Sequence, residues 1–209
     1  MKIAVVAANG RAGQKIVAEA VNRGLDVTAV VRSENKSVAK KVIKKDILAL
    51  TKDDLKGFDV VIDAFGAWKP EDLPNHTKTS QHLCDLLSGT DTRLLIVGGA
   101  GSLFVNKEHT VQVKDTPEFP KEFVPLATAQ ADELVELRKR NDVKWTFVSP
   151  AGDFQADGER TGKYILAGEE FTLNSKGESI ISYADYAVAM IDEATKGNNI
   201  QKRISVVRE

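Results

Sequence analysis

The chain has 209 residues, enough for one domain with a sizeable buried core. Hydrophobic residues make up 42% of it, which excludes a mostly disordered chain. With 29 basic and 30 acidic residues the formal net charge is −1, so charge gives no reason to expect binding to nucleic acid or to an anionic membrane. Cys84 is the only cysteine, which excludes an intramolecular disulfide. With no membrane-length apolar run and no secretory signal pattern, we expect a cytoplasmic protein.

Apolar runs of strand length alternate along the chain with segments of helical periodicity. The predicted strands lie at 3–8, 27–31, 41–44, 58–65, 94–97, 145–148 and 204–207. The predicted helices lie at 13–23, 71–87, 128–140 and between Ser182 and Gly197. Repeated strand–helix units with short links predict an α/β fold, a doubly wound parallel sheet with helices on both faces.

Two segments, near 102–125 and 152–181, interrupt this alternation. The first contains Pro117, Pro120 and Pro125, and the second begins with an irregular stretch. Both follow the carboxyl ends of predicted strands, where ligands bind in open parallel sheets. We therefore expect a single domain over 1–209, in which these two segments cover a substrate.

The first predicted strand leads into a glycine turn that opens a helix. Its residues are Asn9, Gly10, Arg11, Ala12 and Gly13. The spacing of Ala7, Gly10 and Gly13 is that of the short-chain dehydrogenases, with Ala7 at the position of their first glycine. Such a turn brings backbone N–H groups and a helix N-terminus close to a diphosphate. The alternative is a tight turn that simply needs glycine, but the strand–helix–strand context favours dinucleotide binding.

The second strand ends in Arg32 and Ser33, where an NAD site usually has an acidic residue for the ribose hydroxyl. A guanidinium pairs well with a 2′-phosphate, so NADP(H) is preferred over NAD(H). The alternative is that Arg32 is a solvated surface residue.

Further cofactor contacts are expected at the ends of the next two strands. Asp46 and Ile47 follow the third strand, where a carboxylate commonly meets adenine; a turn-forming role for Asp46 is the alternative. Ala64, Phe65 and Gly66 end the fourth strand, where small residues let the backbone lie against the cofactor. Since the three histidines lack the spacing of metal ligands, no metal site is expected.

The usual catalytic pair of short-chain reductases, Tyr-x-x-x-Lys, does not occur. Gly168, Ala187 and Met190 stand four residues after the three tyrosines. Either the protein does not catalyse a reaction, or it reduces an acceptor that takes hydride without that pair. A flavin is such an acceptor, and positioning would then be the main contribution of the protein.

Three motifs, at 97–103, 159–164 and 177–187, resemble the NADH-flavin reductase group. This group belongs to the atypical short-chain dehydrogenases/reductases and is similar to the NmrA-like and biliverdin reductase B proteins. The resemblance implies a Rossmann-like sheet with a small C-terminal substrate region, and reduction of a flavin or similar ring by a pyridine nucleotide.

The resemblance also implies roles for individual residues. Gly98 and Gly99 would meet the cofactor, and the backbone of Pro150 and Ala151 would lie near the nicotinamide. Ser102 would orient the substrate without acting as an activated nucleophile, because it lacks a Tyr or Lys partner.

Three further side chains are candidates for substrate binding. Trp68 is expected to stack on a flat substrate, or to be an ordinary half-buried tryptophan. Arg160 and Tyr164 are expected to cover a substrate phosphate or ring, or only to shape a lid.

Two classes of function remain open. The first is an NADPH-dependent reductase of the flavin or quinone type, whose partner is a small-molecule acceptor. The alternative is a non-catalytic redox sensor that binds NADP(H) and acts through a partner protein. An isomerase or sugar-nucleotide enzyme is less favoured because such reactions normally need the Tyr-Lys pair. The oligomeric state stays open.

Overall fold

The computed structural model describes residues 1–209 and contains ten strands and five helices. The strands are β1 (Lys2–Val6), β2 (Asp26–Val31), β3 (Lys41–Lys44), β4 (Val60–Asp63), β5 (Arg93–Val97), β6 (Lys144–Ser149), β7 (Asp153–Gln155), β8 (Tyr164–Ala167), β9 (Ile180–Ser182) and β10 (Lys202–Arg208). The helices are α1 (Arg11–Asn22), α2 (Lys52–Leu55), α3 (Asn75–Leu87), α4 (Val124–Leu137) and α5 (Tyr183–Lys196).

Eight strands form one twisted sheet in the order β3-β2-β1-β4-β5-β6-β10-β8. All neighbours are parallel except β8, which runs antiparallel to β10 at the edge. In the centre, Val5 of β1 lies between Ala29 of β2 and Ile62 of β4. The first six positions have the Rossmann strand order, so the predicted fold class is confirmed.

Helices cover both faces of the sheet, which explains why its central strands are apolar on both sides. On one face, α1 and α5 pack together over a core that contains Ile16, Tyr186 and Met190. On the other face, α3 packs against α4 over a second core that contains Leu83 and Leu134. Each of these fully buried apolar side chains contributes roughly 1.5–3 kcal/mol of burial free energy.

The boundaries of two helices differ from the prediction because of proline. Pro70 begins a separate 3₁₀ turn, and Pro74 stands immediately before α3, so this helix begins at Asn75 rather than at 71. Pro125 lies in the first turn of α4, where a missing N–H breaks no helical bond. That helix therefore starts four residues before the prediction and ends at Leu137.

The segment after β6 is more ordered than its sequence indicates. It contains β7, which pairs with β9, and β8, which adds an edge strand beside β10. The partners of both strands come later in the chain, so periodicity within the segment gives no sign of either pairing.

The lengths of the five helices bear on whether any of them could cross a membrane. The longest have 14 residues, and none combines the length and hydrophobicity that a bilayer crossing requires.

Candidate functional site

A cleft of about 1140 Å³ opens at the carboxyl edge of the sheet. Its walls are loops that follow five neighbouring strands: Gly10 follows β1, Arg32 follows β2, Phe65 follows β4, Gly98 follows β5 and Pro150 follows β6. The sheet order reverses at β1, since β2 and β3 lie on one side of it and β4 to β6 on the other. Ligands bind at this kind of crevice in open α/β sheets.

The turn after β1 leaves the start of α1 open to the cleft. Gly10 is the residue before the helix and has no side chain to cap it, and the first turn of α1 contains no acidic residue. The first backbone N–H groups of α1 therefore have no side-chain acceptor. Together with the helix dipole they form a site that suits an anionic phosphate.

The geometry of this turn explains two of its residues. Ala7 stands where related turns have a first glycine and adopts a left-handed φ of 56°, which glycine would reach more easily. A Cβ on Gly13 would lie 2.7 Å from the Ala7 carbonyl oxygen and 2.9 Å from the Ala8 Cα. Gly13 does not itself line the cleft, and its missing side chain lets α1 approach β1 closely.

Asn9 ties this turn to the loop after β2. Its side-chain amide donates hydrogen bonds to the Glu34 carbonyl oxygen at 2.7 Å and to the Ser33 hydroxyl at 3.3 Å. Its side-chain oxygen accepts a hydrogen bond from the Lys36 backbone N–H at 2.7 Å. This bracing is absent from the sequence analysis, because no spacing rule links residues 9 and 34.

One end of the cleft, which we call the polar end, is formed by the turn after β1 and the loops after β2 and β3. It carries three cationic side chains, Arg11, Arg32 and Lys45. The side chain of Arg32 is 79% exposed, and its only carboxylate neighbour is Asp46 at 3.8 Å. Asp46 also caps its own turn, accepting a hydrogen bond from the Leu48 N–H at 2.9 Å. The guanidinium of Arg32 is therefore accessible to an anion.

Another part of the cleft, which we call the aromatic end, is lined by Trp68 of the loop after β4 and by Phe119 and Phe123 of the 102–125 segment. Trp68 is 70% exposed, so a large flat surface faces solvent at the cleft. An exposed tryptophan offers a ring face on which a planar molecule can stack. This end therefore suits a flat, apolar ligand.

Most of the predicted cofactor residues line this one cleft. They are Asn9, Gly10, Arg11, Ala12, Arg32, Ser33, Asp46, Ile47, Ala64, Phe65, Gly66, Gly98, Gly99, Pro150 and Ala151. Their chain separation is large, and the parallel sheet brings them together by aligning the ends of its strands.

Ser102, which the sequence predicts to orient the substrate, is not among the residues that line the cleft. It is buried, and its hydroxyl accepts a hydrogen bond from Arg203 at 3.2 Å. Arg203 also forms an ion pair with Glu169, which in turn pairs with Arg138 at 2.8 Å. Ser102 therefore helps to anchor the 102–125 segment to β10.

Arg160 and Tyr164, which the sequence predicts to cover a substrate or only to shape a lid, also do not line the cleft. Arg160 pairs with Glu19 of α1 at 3.0 Å, and Tyr164 donates a hydrogen bond to Asp192 of α5 at 2.7 Å. Burial, and then this hydrogen bond, raise the pKa of Tyr164 above its usual range, so the phenol keeps its proton. Arg160 therefore fastens the segment before β8 to α1, and Tyr164 fastens the start of β8 to α5.

A buried acidic group behind the cleft was missed by the sequence analysis. Asp63 ends β4 and Glu133 lies on α4; they are 1% and 2% exposed, and neither pairs with a Lys or Arg. His76 of α3 lines the cleft, and its Nδ1 lies 3.9 Å from Oε2 of Glu133. No spacing in the sequence indicates this contact, because Glu133 stands 57 residues after His76 along the chain.

Known proteins resemble this chain over most or all of its length. A model of a family described as NAD(P)H-binding matches residues 7–195. The Bacillus subtilis protein YwnB is 44% identical over 212 residues, covering 100% of this chain and 99% of that protein.

Two solved structures of similar proteins have the same fold. A proposed NADH-flavin reductase from Streptococcus pneumoniae is 61% identical, with a TM-score of 0.98 and complete coverage of both chains. A proposed epimerase from Bacteroides thetaiotaomicron is 35% identical, with a TM-score of 0.86 over 99% of this chain and 96% of that one. The resemblance predicted from the sequence motifs is confirmed.

Proposed function

The chain belongs to the NAD(P)H-binding family, and we propose that it transfers hydride from a reduced nicotinamide dinucleotide to a flavin or a similar flat, conjugated acceptor. The observation that carries this proposal is the pairing, in one cleft, of the polar end with the aromatic end. The first suits the charged part of a dinucleotide, and the second suits a planar ring.

The residues of the polar end fit a dinucleotide without rearrangement. The uncapped N–H groups at the start of α1 would hold the diphosphate, with Gly10 allowing the close approach of the backbone. Asn9 holds the loop of Ser33 against this turn, so both walls of the polar end are braced before a ligand arrives.

The coenzyme is proposed to be NADPH rather than NADH. The loop after β2 presents Arg32 and the Ser33 hydroxyl to the cleft and no carboxylate that would compete for a ribose hydroxyl at this position. A guanidinium recognises a 2′-phosphate through paired hydrogen bonds. The Streptococcus pneumoniae neighbour is named for NADH, so measured affinities for both coenzymes decide this point.

The far wall of the cleft comes from loops that follow β5 and β6. Gly98, Gly99, Pro150 and Ala151 line it and present backbone rather than long side chains. A Cβ at Gly99 would lie 2.1 Å from the side-chain oxygen of Gln130, so a larger residue there would require the Gln130 side chain to move. When bound, the reduced nicotinamide supplies the hydride.

The aromatic end determines the class of acceptor. Trp68, Phe119 and Phe123 offer ring faces and edges to a planar molecule, and stacking would hold it in one plane. Because the Tyr-x-x-x-Lys pair is absent, these side chains contribute orientation rather than carbonyl protonation. A redox sensor has no need of such a surface beside its dinucleotide, so the reductase is the function that we propose.

A turnover assay tests this proposal. Purified protein is mixed with NADPH, and the nicotinamide absorbance is followed with FMN, FAD, riboflavin or a small quinone as the acceptor. We expect saturable turnover with at least one of them and a higher KM for that acceptor in Trp68→Ala. Gly168→Ala is the matched control, because a Cβ at Gly168 meets open space outside the cleft. Tight NADPH binding without turnover of any acceptor would contradict the proposal and favour the sensor.

A further inference from the structure

The buried acidic group behind the cleft is the least expected feature of the molecule. Oδ2 of Asp63 and Oε2 of Glu133 have no hydrogen-bond partner, although both side chains are almost fully buried. A buried polar atom without a partner normally costs free energy, and an unpaired buried charge costs more. Its presence here therefore calls for a functional explanation.

The other side chains packed around this pair do not neutralise it. The titratable groups that face it are His76 and the Cys84 thiol of α3, and no Lys or Arg pairs with either carboxyl group. Burial raises the pKa of the Cys84 thiol to about 12, so this group stays uncharged. The three groups Asp63, Glu133 and His76 also do not form a metal-ligand set.

Burial sets the protonation of the pair. It raises the pKa of Asp63 to about 6, against the weaker effect of the hydrogen bond that its Oδ1 accepts from the Phe65 N–H at 3.0 Å. Burial and then the charge of Asp63 raise the pKa of Glu133 well above its ordinary value, and the Ser80 hydroxyl only partly opposes this. Both shifts favour the protonated form, and Glu133 is the member of the pair that lies beside His76.

His76 lies between Glu133 and the wall of the cleft. Its Nδ1 faces Glu133, while its Nε2 lies 3.3 Å from both the N–H and the carbonyl oxygen of Ala67. Ala67 is itself part of the cleft wall, next to Trp68 of the aromatic end. The ring of Phe65 packs edge-on against the imidazole at 5.3 Å and fixes its plane.

We propose that His76 is the proton donor for the reduced acceptor, and that Asp63 and Glu133 form the proton store that recharges it. This inference rests on the proposed function. It assigns to a histidine the task that a tyrosine and a lysine perform in typical short-chain reductases.

The step balances in atoms and electrons. The C–H bond of the dihydronicotinamide breaks, and its electron pair forms a new bond between hydrogen and the acceptor, so the coenzyme is oxidised and the acceptor reduced. The acceptor oxygen or nitrogen that gains negative charge takes the proton from Nε2 of His76. At the same time Nδ1 of His76 takes the proton of the Glu133 carboxyl group. After the product leaves, Nε2 takes a proton from solvent and Nδ1 returns its proton to Glu133, which restores the starting state.

Two matched pairs of variants test the delivery step with a quinone acceptor. His76→Asn is expected to lower kcat by about 100-fold, the size of effect usual for a general acid, with little change in the Kd for NADPH. His82→Asn is its control, since His82 lies on the same helix and hydrogen-bonds the Leu50 carbonyl oxygen outside the cleft. Added imidazole should restore part of the lost rate in His76→Asn only.

The second pair compares two buried glutamates. In the unmodified chain kcat should fall as pH rises through the elevated pKa of Glu133, because only the protonated carboxyl group can recharge His76. Glu133→Gln should be slow at all pH values and lose this dependence. Glu193→Gln, whose carboxylate is also buried but pairs with Arg93 at 2.6 Å, should keep the dependence. Full activity of His76→Asn and Glu133→Gln would overturn the proposal.

Infrared difference spectroscopy of the protein without coenzyme tests the store independently of turnover. We expect the band of a protonated carboxyl group near neutral pH, present in Glu193→Gln and absent from Glu133→Gln. Its absence from the unmodified chain would overturn the proton store. If the band is present but no acceptor is reduced, the store is supported, whereas the proposed function and the delivery step fail.

Discussion

The two ends of the cleft differ in whether their charged groups are exposed or buried. At the polar end the charges are exposed, as in Arg32, and the phosphate site consists of backbone N–H groups, so a charged ligand is recognised with little burial of charge. Behind the aromatic end, Asp63 and Glu133 are buried without cationic partners. Binding alone explains the first arrangement. The second lowers the stability of the folded chain, and proton transfer gives a reason for it.

The largest effect is expected from Gly13→Val, because the added side chain would disturb the close packing of α1 against β1 at the polar end. The added side chain would meet the Ala7 carbonyl oxygen and the Ala8 backbone, neither of which can rotate away. We expect a loss of about 3 kcal/mol or more in the free energy of unfolding, measured by urea denaturation, and loss of affinity for both coenzymes. Gly168→Ala is the control. Unchanged NADPH affinity in Gly13→Val would show that the start of α1 does not bind the phosphates.

Asp63→Asn should raise stability, and the gain should depend on pH. A carboxyl group whose pKa is raised from 3.8 to about 6 contributes stability that is complete below the lower value and lost as pH rises through the upper one. The asparagine variant should therefore be more stable than the unmodified chain by about 3 kcal/mol above pH 6, and by much less near pH 4. Urea denaturation at both pH values measures the difference.

The control for this prediction is Asp192→Asn. Burial raises the pKa of Asp192, but the hydrogen bonds from Arg23 and Tyr164 outweigh it and lower the pKa overall. Stability from such a group is present above its unfolded pKa and lost as pH falls, so this variant should be less stable near neutral pH. Equal responses of the two variants would contradict the contrast between paired and unpaired acids.

Arg32→Ala should weaken NADPH binding by roughly 10- to 100-fold, as expected for the loss of a charge-assisted pair of hydrogen bonds. The affinity for NADH should change little, because that coenzyme lacks the 2′-phosphate. Titration of both coenzymes into both proteins measures this. An equal loss for the two coenzymes, or no loss, would show that Arg32 does not select NADPH.

Trp68→Ala should have the smallest effect, raising the KM of the flat acceptor by roughly 10-fold through the loss of one stacking surface. The Kd for NADPH should stay the same, since Trp68 belongs to the aromatic end. Leu173→Ala is the control, because Leu173 is an exposed apolar side chain outside the cleft. A weaker NADPH affinity in Trp68→Ala would show that coenzyme and acceptor do not bind at separate ends of the cleft.

The polar end was accessible to sequence reasoning because its signals are local. The turn at Gly10 follows a strand and opens a helix, and Arg32 ends the next strand, so two short patterns place both residues at one sheet edge. The parallel sheet then fixes their proximity.

The candidate substrate-binding residues are harder to predict than the polar end, because polar residues in irregular segments have no periodicity to place them. Arg160 and Tyr164 are attractive substrate ligands by residue type, yet the structure uses them to fasten β8 to α1 and α5. The meeting of Asp63 with Glu133 depends on how α4 packs on the sheet, which no spacing in the sequence expresses.

A crystal structure of the chain with NADPH and a non-reducible flavin analogue tests the central claim most directly. The account predicts the diphosphate at the backbone N–H groups of Arg11 and Ala12, the 2′-phosphate beside Arg32, and the flavin ring against Trp68. A dinucleotide bound elsewhere, or an analogue bound away from the aromatic end, would contradict it.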